Sequence, residues 1–155
     1  MQLTSPGFHE GERIPWRYSA PGANELPPLE FREIPRGARS LALVFENLDS
    51  PLGPATHWLA WNIPPGTPRI SAVEQPANCV LGTDTFGKIG YTGPAPPEGR
   101  PRFRFTLFAL EIELDLAAGA TRQQFDKAID DHVIETAELT GYAERPDSAD
   151  SDPGY

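Results

Sequence analysis

Arg102–Leu116 reads RFRFTLFALEIELDL and is the longest strand signal in the chain. Phe103, Phe105 and Leu107 occupy odd positions, whereas Phe108, Leu110, Ile112, Leu114 and Leu116 occupy even ones. Alternation with a period of two marks a β-strand that buries one face. The change of parity near Leu107-Phe108 predicts a bulge, a break, or burial of both faces, because a slip of one residue carries an apolar set to the other side of a sheet. Upstream, Ser40–Glu46 (SLALVFE) and His57–Ile63 (HWLAWNI) are compact apolar runs, the second halted by Pro64-Pro65-Gly66. Both read as buried strands. The fold expected from these three segments is mainly β.

With 155 residues the chain has the length of one domain. Its 18 prolines and 14 glycines argue against a helical bundle, since these residues break helix interiors. Residues 1–39 carry Pro6, Pro15, Pro21, Pro27, Pro28 and Pro35, which predicts short extended pieces joined by turns and no helix. One segment has a helical period. Thr121 and Gln124 fit a capping box, Phe125, Ala128, Ile129, His132, Val133, Thr136 and Ala137 form a stripe, and Gly141 is placed to end it. The chain is therefore expected to be β-rich α+β with one late helix, and His132 to be a core histidine with a satisfied hydrogen bond. The acidic stretch PDSADSDPGY over residues 146–155 has almost nothing to bury, so the domain is expected over 1–145 with a mobile tail.

A net charge of −9 sets the surface against polyanions, so neither nucleic acid nor an anionic membrane is an expected partner. The longest apolar runs are too short for membrane insertion, and the start MQLTSPGFHEGERIP has acids where a secretory leader needs an apolar run. Cys79 is the single cysteine, which leaves no intrachain disulfide. The expected compartment is the cytoplasm. His9, His57 and His132 lack a second ligand at metal spacing, and Gly90–Gly93 (GYTG) has neither the Walker nor the dinucleotide spacing. No metal or other cofactor is expected.

Between the two core strands hangs ENLDSPLGPAT, a loop of turn residues of the kind that carries binding groups. His57 follows it at the start of a strand. Asp49 either sets the tautomer of His57 and raises its pKa, or caps its own turn while His57 packs beneath. Ser50 lacks a nucleophile elbow and Cys79 reads as a small buried thiol, so the chain is not expected to be an enzyme. The competing readings are a hydrolase that uses His57 as general base with Asp49 as its orienter, and an interaction scaffold with a vestigial pocket. Arg100, Arg102 and Arg104 are the one concentration of positive charge. Arg102 and Arg104 either fork onto an anion or balance nearby acids at the surface.

Read together, LTSPGF (3–8), IPWRYS (14–19), PPLEF (27–31), SLALVFENLDSP (40–51), THWLAWNIPPGT (56–67), FGKIGYTGPAPPEG (86–99), RFRFTLFAL (102–110) and HVIETAELTGYAER (132–145) form a pattern. The chain resembles the phosphatidylethanolamine-binding protein family, in its bacterial, Raf-kinase-inhibitor-like branch. The resemblance implies a large central antiparallel sheet packed on a smaller sheet. It also implies a small-anion pocket and, as in various members, inhibition of a kinase or protease; a homodimer is compatible with it. Carried over by position, the ligand-binding set is Asp49, Pro51, His57, Tyr91, Gly93, Ala95 and Arg102, with Asn47 where the family has an aspartate and Phe103 where it has a tyrosine. Leu48 replaces a proline and Pro101 replaces a histidine. One imidazole, one phenol and one carboxylate are thus missing together, which predicts a pocket that has moved away from phosphoryl groups toward a different or less charged ligand.

Overall fold

A computed structural model describes residues 1–96 and 98–146. Among the described residues eight strands form two antiparallel sheets. The larger has the order β6(Val80–Leu81), β4(Ala55–Ile63), β3(Ser40–Asn47), β7(Arg102–Leu110), β8(Val133–Tyr142), and the smaller has the order β1(Gln2–Thr4), β2(Leu29–Arg32), β5(Arg69–Ile70). One α-helix, α1(Arg122–Ile129), lies on the outer side. The mainly β architecture with a large sheet packed on a small one is as expected, and residues 147–155, which contain nearly all of the expected tail, lie outside the described residues.

The parity change in Arg102–Leu116 has a clear physical origin. β7 is an interior strand between β3 and β8 and buries both faces. Phe103, Phe105, Leu107 and Ala109 pack into the core between the sheets, while Leu110 and Phe108 pack toward α1 with Phe125 and Ile129. Burying one such aromatic ring contributes about 2–3 kcal/mol, so a strand with two apolar faces is strongly held. The strand stops at Leu110, shorter than the apolar run, because side chains of β4 capture the backbone that follows. Asn62 brackets Leu114, donating from Nδ2 to its carbonyl at 2.9 Å and accepting its N–H at 2.7 Å, and Trp61 Nε1 donates to the Leu116 carbonyl at 3.1 Å.

The helix is shorter than its stripe. Its capping box forms, with Gln124 N–H donating to Thr121 Oγ1 at 3.2 Å and Thr121 N–H donating to Gln124 Oε1 at 2.9 Å. It ends at Ile129, Asp131 turns the chain with φ of 66°, and Val133–Tyr142 pairs along β7 as a strand. The β-branched Val133, Ile134, Thr136 and Thr140 suit a strand, and the long partner β7 overrides the helical period. Gly141 is no cap: a Cβ there would meet the Glu12 carbonyl at 2.8 Å, so it marks a close approach of two backbones. His132 is likewise no core residue. It is part exposed beside the start of β8, with Nδ1 2.9 Å from Glu111 Oε1. The proline-rich start also contains one 3₁₀ turn, Trp16–Tyr18, where no helix is expected from its prolines.

At one end of the large sheet the face toward α1 carries charge. Glu46, 5% exposed, accepts from Arg104 at 3.3 Å and from Arg122 at 3.4 Å, and Arg122 also reaches Asp126 at 2.7 Å. Nε of Arg104 is buried with no hydrogen-bond partner.

Candidate functional site

On the opposite face of that same end lies a cleft of about 760 Å³, in the range of small-molecule sites. Its placement begins with an irregularity in β4. Phe45 of β3 pairs with Trp58, but Glu46 pairs with Thr56, so His57 has no partner on β3. This extra residue is a β-bulge, which re-aims a side chain. His57 and Trp58 both turn toward the inter-sheet side, His57 onto the cleft and Trp58 into the core.

His57 is 4% exposed and set among rings. Phe86 and Phe103 approach it edge-on at 4.9 and 5.1 Å between centroids, and Phe45 lies at 6.0 Å. Burial pushes its pKa below the usual histidine value, against the opposing pull of the Thr92 and Gly93 carbonyls and the charge of Asp84. Nδ1 sits 2.8 Å from the Thr92 carbonyl, while the Thr92 N–H donates to the His57 carbonyl at 3.0 Å.

Asp49 does neither of the things expected of it. Arg102 forks onto its carboxylate, Nη2 to Oδ1 at 2.8 Å and Nε to Oδ2 at 3.0 Å, and the Arg102 N–H donates to Oδ2 at 2.8 Å. These side-chain and backbone bonds hold the Asp49 pKa down to about 2. The turn is capped instead by Asn47, whose Oδ1 accepts the Asp49 N–H at 2.9 Å. Arg102 and Arg104 both balance acids, the first Asp49 and the second Glu46.

The profile of the family described as "Phosphatidylethanolamine-binding protein" matches residues 4–144. The chain belongs to the phosphatidylethanolamine-binding protein family. A UPF0098 protein of Pyrococcus abyssi is 40% identical over 153 residues, spanning 94% of this chain and 86% of that one. The crystal structure of a putative phosphatidylethanolamine-binding protein homolog, CT736 of Chlamydia trachomatis, is 38% identical, with a TM-score of 0.88 over 93% of this chain and 97% of that chain. Escherichia coli YbcL, described as a new member of the mammalian family, shares the fold at 24% identity and a TM-score of 0.87, over 93% and 98% of the two chains.

Of the site residues carried over from the phosphatidylethanolamine-binding protein pattern, Asn47, Asp49, Pro51, His57, Ala95 and Phe103 line the cleft. Tyr91, Gly93 and Arg102 do not. Tyr91 stacks on Phe45 at 5.7 Å and donates its hydroxyl to the Tyr18 carbonyl at 2.7 Å; burial holds its pKa well above the usual phenol value. Gly93 is required for contact, since a Cβ would stand 2.1 Å from the Tyr18 carbonyl oxygen, and its N–H donates to Asn24 at 2.8 Å. Arg102 serves the wall by holding Asp49. Pro101, at the family's histidine position, also lines the cleft and offers no donor.

Sequence reasoning missed three residues. Asp84 is buried and accepts from the Phe86 and Lys88 N–H groups at 2.8 and 2.9 Å and from the Thr92 hydroxyl at 2.8 Å. Phe86 and Thr92 complete the surroundings of His57. Their segment, TDTFGKIGYTG, carries turn composition, which announces a loop and gives no sign that its aspartate is buried. Cys79 is half-buried, and burial pushes its thiol up to about 11. Among the described residues no cluster of His, Cys, Asp and Glu is arranged to hold a metal ion, and no helix is long and apolar enough to cross a membrane.

Proposed function

We propose that this protein binds a small ligand in the His57 cleft and acts by occupancy rather than turnover, the occupied cleft regulating a partner of the kinase or protease class. The observation that carries the reading is the commitment of Asp49 to Arg102 beside a cleft floored by the buried His57 and Phe103. An Asp–His pair that would drive general-base chemistry is not assembled, whereas a pocket with rigid proline walls loses little entropy when it closes on a ligand. Leu52, fully exposed, and Phe86, half exposed, stand at the mouth and supply apolar area that both ligand and partner could share.

Fragment screening of the full chain by amide NMR tests this. The expected result is a set of binders whose shifts cluster on Asn47, Phe86, Thr92 and Ala95 and vanish in His57→Ala. Hydrolysis of p-nitrophenyl acetate or p-nitrophenyl phosphate that depends on His57 would overturn it, as would a screen in which no fragment reaches the cleft.

A further inference from the structure

The hydrogen bonds around His57 fix which kind of group the cleft can receive. A carbonyl oxygen only accepts, so the Nδ1 atom facing Thr92 carries the ring proton, and the neutral imidazole keeps its lone pair on Nε2. Thr92 is itself held. Its hydroxyl donates to Asp84 Oδ2 and its N–H donates to the His57 carbonyl. Asp84 also closes the turn that places the Phe86 ring against the imidazole. A single buried carboxylate therefore sets both the tautomer of the histidine and the aromatic wall beside it.

The described residues that line the cleft leave that lone pair without a free cation beside it. Asp84 is engaged by three donors. Asp49 is closed by Arg102, Arg100 on the rim pairs with Glu144 at 3.2 Å, Glu98 is exposed, and Tyr91 spends its hydroxyl on Tyr18. A carboxylate brings only acceptors to a site whose histidine also accepts, and a phosphate, which keeps a hydroxyl donor, brings a charge that no free cation on the wall meets. A carboxylate gains a hydrogen bond from the ring only if His57 takes up a proton, which burial opposes.

We propose that the cleft selects an uncharged molecule with a hydrogen-bond donor on a flat apolar body, a primary amide or a phenol, its donor on Nε2 of His57 and its body against Phe86 and Phe103. Asp84 is the positioning residue for this selection. Asn47 completes the match for an amide: its Oδ1 is used by the Asp49 N–H, so its NH₂ is the group left to meet a ligand carbonyl. The inference rests on the binding reading above and names the ligand class.

Benzamide, phenol, benzoate and inorganic phosphate are titrated into the full chain, following amide shifts and the ¹⁵N signals of the His57 ring. At neutral pH benzamide and phenol bind at least about tenfold more tightly than the two anions. Benzamide affinity is full while His57 is neutral and falls as acid protonates it; benzoate moves the other way. Asp84→Asn removes a charge that favours the imidazolium, so the His57 pKa drops further, the proportion of Nε2-protonated tautomer rises, and benzamide weakens by about tenfold. Thr92→Val cuts the Asp84 link while keeping the carbonyl, and gives the same ring signature if Asp84→Asn does not fold. Benzoate or phosphate matching benzamide at neutral pH overturns the inference, as does a ring tautomer unmoved in both variants. Where all four probes fail but other fragments fill the cleft, only this inference falls; where nothing binds, the function proposed above falls with it.

Discussion

Glu46 and Asn47, Thr56 and His57, Arg104 and Phe103 are neighbours in sequence, yet they build two opposite environments on the two faces of one sheet end. Toward α1 the sheet buries a carboxylate between two guanidinium groups. Toward the small sheet it buries an uncharged imidazole among phenylalanine rings. The difference teaches that alternation lets a protein keep charge and apolar recognition a strand's thickness apart without mixing them. The charged face serves structure, tying α1 to β3 and β7. The aromatic face lines the cleft.

Four experiments break or sharpen that contrast. Phe103→Ala removes a fully buried ring from the aromatic face and is expected to lower stability by about 3–5 kcal/mol in urea unfolding, the largest effect. Glu46→Gln leaves Arg104 and Arg122 facing a neutral group; with both arginines about a third exposed, the expected loss is about 2–3 kcal/mol, with no change in fragment binding at the cleft. Pro101→His combined with Phe103→Tyr puts an imidazole and a phenol on the aromatic face. Inorganic phosphate affinity is expected to rise about tenfold by calorimetry, and an unchanged affinity would show that the lost donors do not govern anion binding.

The smallest effect belongs to the rim. The Asp49 pKa is depressed, so the Arg102 pair is fully present above the ordinary carboxylate range and is lost as pH falls from about 4 toward about 2. The amide signals of Asn47–Gly53 should shift about the lowered Asp49 value, about 2, rather than in the ordinary carboxylate range. A midpoint in the ordinary carboxylate range would mean that the Arg102 fork does not hold Asp49 in solution.

Much of this was legible in residue order. SLALVFE and HWLAWNI are strands, the Thr121–Gln124 box starts a helix, and the motif pattern identifies the family and six residues of the cleft wall. What was hidden depends on pairing across distance. The stripe through Val133 and Thr136 fits a helix until β7 is available as a partner. The partner of Asp49 is Arg102, 53 positions away, which no local spacing reveals. Asp84 is concealed for a similar reason: a turn aspartate and a buried aspartate look alike until Thr92 folds back onto it.

The bulge at His57 has one more consequence. Ala55 and His57 face the cleft at odd positions, and Trp58 and Ala60 face the inter-sheet core at even ones, so the strand changes phase at the histidine. The cleft-facing position is thus written as an inserted beat in the strand, independent of which amino acid fills it. Relatives can be sorted on that beat. Relatives that keep it set two consecutive side chains, at the positions of His57 and Trp58, on the inter-sheet side, and those without it offer the cleft the residue at the position of Thr56 instead, a distinction that solved structures of the two groups would test.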